Sequence, residues 1–283
     1  MTAIQGKTRV VCILGDPIGH SLSPRMQNAA FVAGLLDYIY VPFAVKAEFL
    51  EDAVVGLKAL GVCGFNVTIP HKSAIIPFLD HLDESALAAG AVNTVTLSQG
   101  AFVGYNTDGD GLVDSLLSDL DFSPGPEQIL IIGAGGAARG AVAALCRSGA
   151  KKIVLFNRSL ENARSVMRDM TMRYPETSIS VIERNQVSAE CLASTSLLLN
   201  TTSLGMNGEQ IDGVDLSALS RNARVYDMVY SRSGTPLVSE ANAAGLKAVN
   251  GVGMLVAQGE RAFEIWTGHK PMKGVMRRAL DGI

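Results

Sequence analysis

Gly133-Ala134-Gly135-Gly136-Ala137-Ala138 stands between an apolar run, Ile129–Ile132, and an alanine-rich stretch, Ala137–Ser148. No other feature constrains the fold of this chain as strongly. In such a sequence the first glycine permits a tight turn and the next lets backbone approach a pyrophosphate. The small residue at the end allows close helix–sheet packing, and the helix N-terminus presents its amide dipoles. A purely structural glycine turn is the bland alternative. The flanking strand and helix, with a further apolar run at Lys152–Phe156, complete a βαβ unit and favour dinucleotide binding.

The same rhythm runs the length of the chain. Strands are predicted at Val10–Leu14, Tyr38–Val45, Gly64–Ile69, Gln128–Ile132, Lys152–Phe156, Leu197–Asn200, Arg224–Met228 and Lys247–Val249. Helices are predicted at Pro24–Leu36, Ala47–Leu60, Ser85–Gly90, Gly109–Leu120, Ala137–Ser148, Glu161–Tyr174 and Met254–Gly268, with a hairpin joining Ala91–Leu97 to Ala101–Gly104. Strands alternating with helices predict an α/β protein with mainly parallel sheets. Its 283 residues suit one large domain or two medium ones. Phe122-Ser123-Pro124-Gly125-Pro126 is the best boundary, and the helix before it would lead into a second domain.

Composition narrows the function. Lys plus Arg number 24 against 27 Asp plus Glu, a net charge of −3, and no basic run is present. Nucleic acids and anionic membranes are poor partners for such a chain, which points to small molecules or further copies of itself. Hydrophobic residues make up 48%, enough for a packed core rather than disorder. The four cysteines are scattered without a CxxC pair, and the four histidines show no paired ligand spacing. A thiol-reduced, metal-free, cytoplasmic protein is expected. The apolar window Ile129–Cys146 is interrupted by four glycines and Arg139, so it does not read as a membrane span.

Strand Lys152–Phe156 ends in Asn157-Arg158-Ser159. An NAD site normally carries a carboxylate there for the ribose 2′-hydroxyl. Arg158 instead offers a guanidinium fork suited to a 2′-phosphate, with Asn157 and Ser159 as further hydrogen-bonding groups. Glu161, the nearest acid, lies within the start of the next helix. A solvated surface arginine is the plain alternative.

In the first half, Gly19-His20-Ser21-Leu22-Ser23-Pro24 follows a strand and enters a helix. Its two hydroxyls could cap that helix or grip a carboxylate, and capping is the commoner use. Asn66-Val67-Thr68-Ile69-Pro70-His71-Lys72 closes another strand with polar groups and one cation, either a solvated lysine or a positioned acid–base group. Asn106-Thr107-Asp108-Gly109 reads as an Asx-type turn before a helix, where Asp108 alone would pass for an N-cap. Gly90-Ala91-Val92-Asn93-Thr94 says little by itself.

Together these segments resemble the shikimate dehydrogenase family over nearly the whole chain. Gly15–Pro24, Gly64–Lys72, Gly90–Thr94 and Gly104–Gly109 match in the first half. Gly133–Arg139, Asn157–Ser159, Asn200–Met206, Tyr226–Tyr230 and Gly251–Gln258 match in the second. The resemblance implies a two-domain α/β fold: an N-terminal substrate domain, 1–108, with the C-terminal segment 254–283 packed back on it, and a Rossmann domain, 109–253. An active-site cleft would lie between them. It implies that Ser21, Ser23 and Tyr230 hold the substrate carboxylate, and that Asn66, Thr68, Asn93 and Gln258 read ring hydroxyls and the keto oxygen. Lys72 and Asp108 would be the catalytic pair. Gly133, Ala134, Gly135, Gly136 and Ala137 would carry the pyrophosphate of NADP, and Asn157, Arg158 and Ser159 its ribose phosphate. Glu84, Met228 and Gly251 match further positions lining the cofactor site.

The implied activity is NADP-dependent reduction of 3-dehydroshikimate to shikimate, within aromatic amino-acid (chorismate) biosynthesis, by a monomer or homodimer. Ketone reduction needs a hydride from the cofactor and a proton on the oxygen; a cation beside that oxygen stabilises the alkoxide and can deliver the proton. Lysine ordinarily titrates near 10.4, so it enters the reduction protonated, with a carboxylate to orient it. Two positions qualify this. Many NADP-specific members carry a second basic residue where this chain has Asn162, with Arg164 two places on, which leaves NAD use open. Quinate-preferring relatives can carry threonine where this chain keeps Ser23, which favours shikimate. The alternatives are an NAD(P)-dependent quinate/shikimate dehydrogenase working oxidatively and a non-catalytic ligand sensor. Retention of Lys72 and Asp108 argues against the sensor.

Overall fold

A computed structural model describes residues 4–183, 187–230 and 234–281; the extreme limits of the expected domain ranges, residues 1 and 283, lie outside them. The chain divides into two compact units, one running up to Gly111 and resuming from Val256, the other spanning Leu112–Leu255.

The first unit is built from β1 (Arg9–Gly15), α1 (Ser23–Ala33), β2 (Tyr38–Ala44), α2 (Leu50–Ala59), β3 (Gly64–Val67), β4 (His81–Leu82), α3 (Glu84–Ala89), β5 (Thr94–Ser98) and β6 (Ala101–Tyr105). Its sheet has the order β2-β1-β3-β5-β6-β4. β1 pairs in parallel with β2 and β3, whereas β5 runs antiparallel to β3 and β6. The hairpin expected around residues 98–100 is therefore present, and it makes this sheet mixed. Cys12, Leu14, Phe65, Val67, Val95 and Phe102 fill the core beneath α2, with the Phe65 and Phe102 rings edge to face at 5.2 Å.

α4 (Asp108–Leu120) carries the chain into the second unit, which holds β7 (Gln128–Ile132), α5 (Gly136–Arg147), β8 (Lys152–Phe156), α6 (Leu160–Arg173), β9 (Ser178–Ile182), α7 (Ala189–Ala193), β10 (Thr195–Asn200), β11 (Arg224–Asp227), α8 (Pro236–Ala243) and β12 (Lys247–Asn250). α9 (Val252–Thr267) and α10 (Val275–Arg278) then end the chain, with the return to the first unit falling inside α9. The second sheet is wholly parallel, in the order β12-β11-β10-β7-β8-β9. This is the doubly wound order, with the direction of winding reversing between β7 and β10. Strands covered on both faces read as continuous apolar runs, and Gln128–Ile132 is buried at every position.

Candidate functional site

Within the first unit, the loop after β3 and the start of α4 bring Lys72 and Asp108 together. Lys72 Nζ donates to Asp108 Oδ2 at 2.6 Å, with both side chains partly exposed, 33% and 24%. Backbone fixes the lysine: Val92 N donates to Lys72 O at 2.7 Å. His71, fully buried, places its Nε2 2.6 Å from Val45 O and ties the same loop down. Asp108 is set by the Asx turn that the sequence suggested, since its amide donates to Asn106 Oδ1 at 3.1 Å. It opens the helix rather than capping it, which frees the carboxylate for the lysine.

The other carboxylate oxygen is also committed. Asn93 Nδ2 donates to Asp108 Oδ1 at 2.8 Å, and Thr107 N donates back to Asn93 Oδ1 at 2.8 Å. Asn66 joins this group by donating from Nδ2 to Asn93 O (2.9 Å) and Thr94 Oγ1 (3.0 Å). Gln258 adds the C-terminal helix: its backbone oxygen accepts from Thr107 Oγ1 at 3.2 Å, and its Oε1 lies 3.5 Å from Asn93 Nδ2. Thus Lys72, Asp108, Asn93, Asn66 and Gln258 form one hydrogen-bonded cluster, with Thr94 and Thr107 as members for which no role was expected. Both threonines lie inside quoted segments, so the signal was present but not specific.

Ser23 is buried and Ser21 half-buried at the entrance to α1. Of the two, Ser21 does the local work, its Oγ accepting from Ser23 N at 3.3 Å, while the formal cap position is Leu22 and has no side-chain bond. Ser23 is not a helix cap. The sequence missed Tyr40, a fully buried phenol on β2 that donates to Asn66 Oδ1 at 2.7 Å. Burial pushes this phenol well above its ordinary pKa, so it stays a donor; the Ser23 hydroxyl acts on it in the opposite sense. Thr68 stands half-buried just past β3, and Glu84 is exposed at the first turn of α3. Tyr230, 38% exposed, belongs to the second unit.

In the second unit the glycine-rich turn leaves β7 at the winding reversal. Gly133 has φ of +115°, and a Cβ there would strike Thr201 Oγ1, so only glycine is tolerated without strain. The loop after β10 locks beside it through Thr201 N, which donates to Ile132 O at 2.8 Å. Gly135, Gly136 and Ala137 are exposed at the start of α5, and Ala134 is half-buried. Fully buried Asp227 accepts from Asn200 Nδ2 (2.8 Å) and Val229 N (3.1 Å), fixing the ends of β10 and β11; burial pushes its pKa up. Met228 and Gly251 meet there, since a Cβ on Gly251 would collide with the Met228 carbonyl.

Arg158 is exposed at the tip of β8, beside a cavity of about 780 Å³ lined in part by Phe156, Asn157, Thr202, Leu204 and Ile211. Asn157 Nδ2 donates to Ser159 O at 2.8 Å, and Ser159 caps α6 by accepting from Asn162 N at 3.4 Å. A turn that only glycine can make, a helix N-terminus with open backbone and an arginine at the next strand tip fit a 2′-phosphorylated dinucleotide.

A chain that carries a doubly wound dinucleotide unit and a second unit with a lysine–aspartate pair is a nicotinamide-dependent oxidoreductase. The shikimate dehydrogenase substrate binding domain matches residues 13–95, the shikimate/quinate 5-dehydrogenase family residues 120–212, and the shikimate 5′-dehydrogenase C-terminal domain residues 251–280. A shikimate dehydrogenase (NADP(+)) of Geobacter sp. strain M21 is 51% identical, covering 98% of this chain and 96% of its own. A shikimate dehydrogenase solved with NADP+ is 37% identical, with a TM-score of 0.89 over 98% of this chain and 96% of that one. The Listeria monocytogenes shikimate 5-dehydrogenase, solved with shikimate and NAD, is 32% identical with a TM-score of 0.92, covering 99% of both chains. The chain belongs to the shikimate dehydrogenase family.

Proposed function

We propose that the protein catalyses the NADP-dependent, reversible reduction of 3-dehydroshikimate to shikimate in aromatic amino-acid (chorismate) biosynthesis. The observation that carries this reading is the Lys72–Asp108 pair at 2.6 Å, with Asn93 holding the second carboxylate oxygen. Lys72, oriented by Asp108, stabilises negative charge on the substrate's reacting oxygen and delivers its proton; in the oxidative direction it takes that proton back. Asn66, Thr68, Asn93 and Gln258 read the ring oxygens, and Ser21, Ser23 and Tyr230 hold the carboxylate. When bound, NADP supplies the hydride exchange at its nicotinamide. Gly133–Ala137 would hold its pyrophosphate and Asn157–Ser159 its ribose phosphate, with Glu84, Met228 and Gly251 lining the rest.

On this reading residues 1–108 and 254–283 form the substrate domain and 109–253 the NADP domain. No helix among the described residues is long and apolar enough to cross a membrane. The reading places the protein in the cytoplasm, acting on a small molecule as a monomer or homodimer.

Purified protein given shikimate and NADP+ should generate NADPH and 3-dehydroshikimate, the latter identified by mass spectrometry. Shikimate binding without any cofactor reduction would overturn the enzymatic reading in favour of a sensor. Ser23→Ala should raise the KM for shikimate by the equivalent of about 1.5–3 kcal/mol, the range for a hydrogen bond to a charged group. Because Ser23 is not a cap, melting temperature should barely change. An unchanged KM would remove Ser23 from the carboxylate site.

A further inference from the structure

Asp227 is a fully buried carboxylate at the end of β11, and no step proposed above uses it. Opposite it stands Asn200, the last residue of β10, which is fully buried as well. On its other side Asn200 is level with Ile132, the residue before Gly133. The pair therefore sits at the strand ends beside the glycine-rich turn, the edge of a doubly wound sheet where a dinucleotide binds. Burying a carboxylate is costly unless hydrogen bonds offset it, so the bonds of this one show what it is for.

Their directions follow from elementary rules. Thr202 N can only donate, so the Asn200 atom facing it at 3.0 Å is the carbonyl oxygen. The Asn200 NH₂ group is thereby turned the other way, and its two hydrogens go to Asp227 Oδ1 (2.8 Å) and Leu204 O (3.2 Å). Asp227 Oδ1 takes a second bond from Val229 N at 3.1 Å. Backbone completes the frame: Met228 N donates to Asn200 O at 3.0 Å, and Gly251 N donates to Val229 O at 3.1 Å. Met228 is thus held from both sides, its own amide by Asn200 and the next amide by Asp227. The loop after β10, the loop after β11 and the turn into α9 converge on one pair of side chains.

We infer that Asn200 and Asp227 are positioning residues for the dinucleotide: bonded through Asp227 Oδ1, they hold the Met228–Gly251 contact against which the cofactor lies. This rests on the assignment of Met228 and Gly251 to the cofactor site. The contact has no slack, because a Cβ on Gly251 would collide with the Met228 carbonyl, so a displacement of one strand end is passed to the other. What the pair needs from Asp227 is an acceptor oxygen and not a negative charge. Both bonds fall on Oδ1, and burial pushes the carboxyl towards its neutral form, so an asparagine carbonyl can take the same two donors.

The test is a fluorescence titration of NADPH, without shikimate, into the wild-type protein and into Asp227→Ala, Asp227→Asn and Asn200→Asp, with thermal melting of each nucleotide-free protein. Asp227→Ala leaves two buried donors unmet and should weaken NADPH binding about 5–30-fold, the worth of one or two such bonds. Asp227→Asn keeps the acceptor and should retain most of the affinity, standing much nearer to wild type than to Asp227→Ala. Asn200→Asp keeps the shape but sets a second oxygen against Asp227 Oδ1; it should weaken NADPH as the alanine variant does, and it carries the test should that variant fail to fold. The KM for NADP+ should follow the dissociation constant in each case. A fall in melting temperature with NADPH binding unchanged would make the pair merely structural and overturn the inference. Asp227→Asn as weak as Asp227→Ala would overturn it as well, because the charge would then be what matters. If the wild-type protein takes up no NADPH, the cofactor assignment fails and the inference fails with it. If it binds NADPH and the variants bind equally well, the inference alone fails.

Discussion

Lys72→Ala should leave the fold and most shikimate affinity intact while lowering kcat by about 10²–10⁴-fold, the range for a positioned acid–base group. The side chain is one-third exposed and its backbone is held independently by Val92, so truncation removes the ammonium without loosening the loop. Asp108→Asn should also depress turnover, for two reasons visible in the site. It removes the charge that orients Lys72, and it leaves one acceptor oxygen where Lys72 Nζ and Asn93 Nδ2 each need one. The double variant should be about as slow as the worse single one, because the two groups act as a unit. Initial rates check the chemistry and circular dichroism the fold. A loss of tenfold or less in Lys72→Ala would return this residue to the class of solvated loop lysines.

Arg158→Asp should shift cofactor preference from NADP towards NAD. The change removes a guanidinium from the strand tip and sets a repelling carboxylate there. At a half-buried bidentate site such a reversal could exceed 10²-fold, but Arg158 is exposed and solvent screens it, so about 10–10²-fold is expected, at about 1.4 kcal/mol per decade. The measured quantity is the ratio of kcat/KM for NADP+ over NAD+ at fixed shikimate and ionic strength. A ratio that hardly moves would identify Arg158 as an ordinary surface residue.

The parallel sheet was the most legible part of the chain. β7 and β8 begin and end where their apolar runs do, because both are buried on two faces and bounded by turn residues. β9 was missed although Ser178–Ile182 alternates in character; as an edge strand it buries little and its signal is weak. α8 was also missed, yet its start is written in Thr235-Pro236, a capping hydroxyl followed by a first-turn proline. Strand β3 stops at Val67, short of the expected Ile69, because the chain turns there to present Thr68 through Lys72.

Local chemistry could be read where both partners were neighbours, as in the Asx turn at Asn106. Ser159 shows the limit of that reading: its capping bond is local, but nothing in the sequence ranked it above a phosphate contact. The Lys72–Asp108 bond joins residues 36 apart, and only family resemblance linked them. Tyr40 was beyond reach altogether, since its bond depends on where folding places Asn66.

The most direct test of the central claim is kcat/KM for the wild-type protein with shikimate and with quinate, each against NADP+ and NAD+. The proposed activity predicts the highest value for shikimate with NADP+. No turnover of shikimate with either nucleotide, or a highest value for quinate with NAD+, would contradict it.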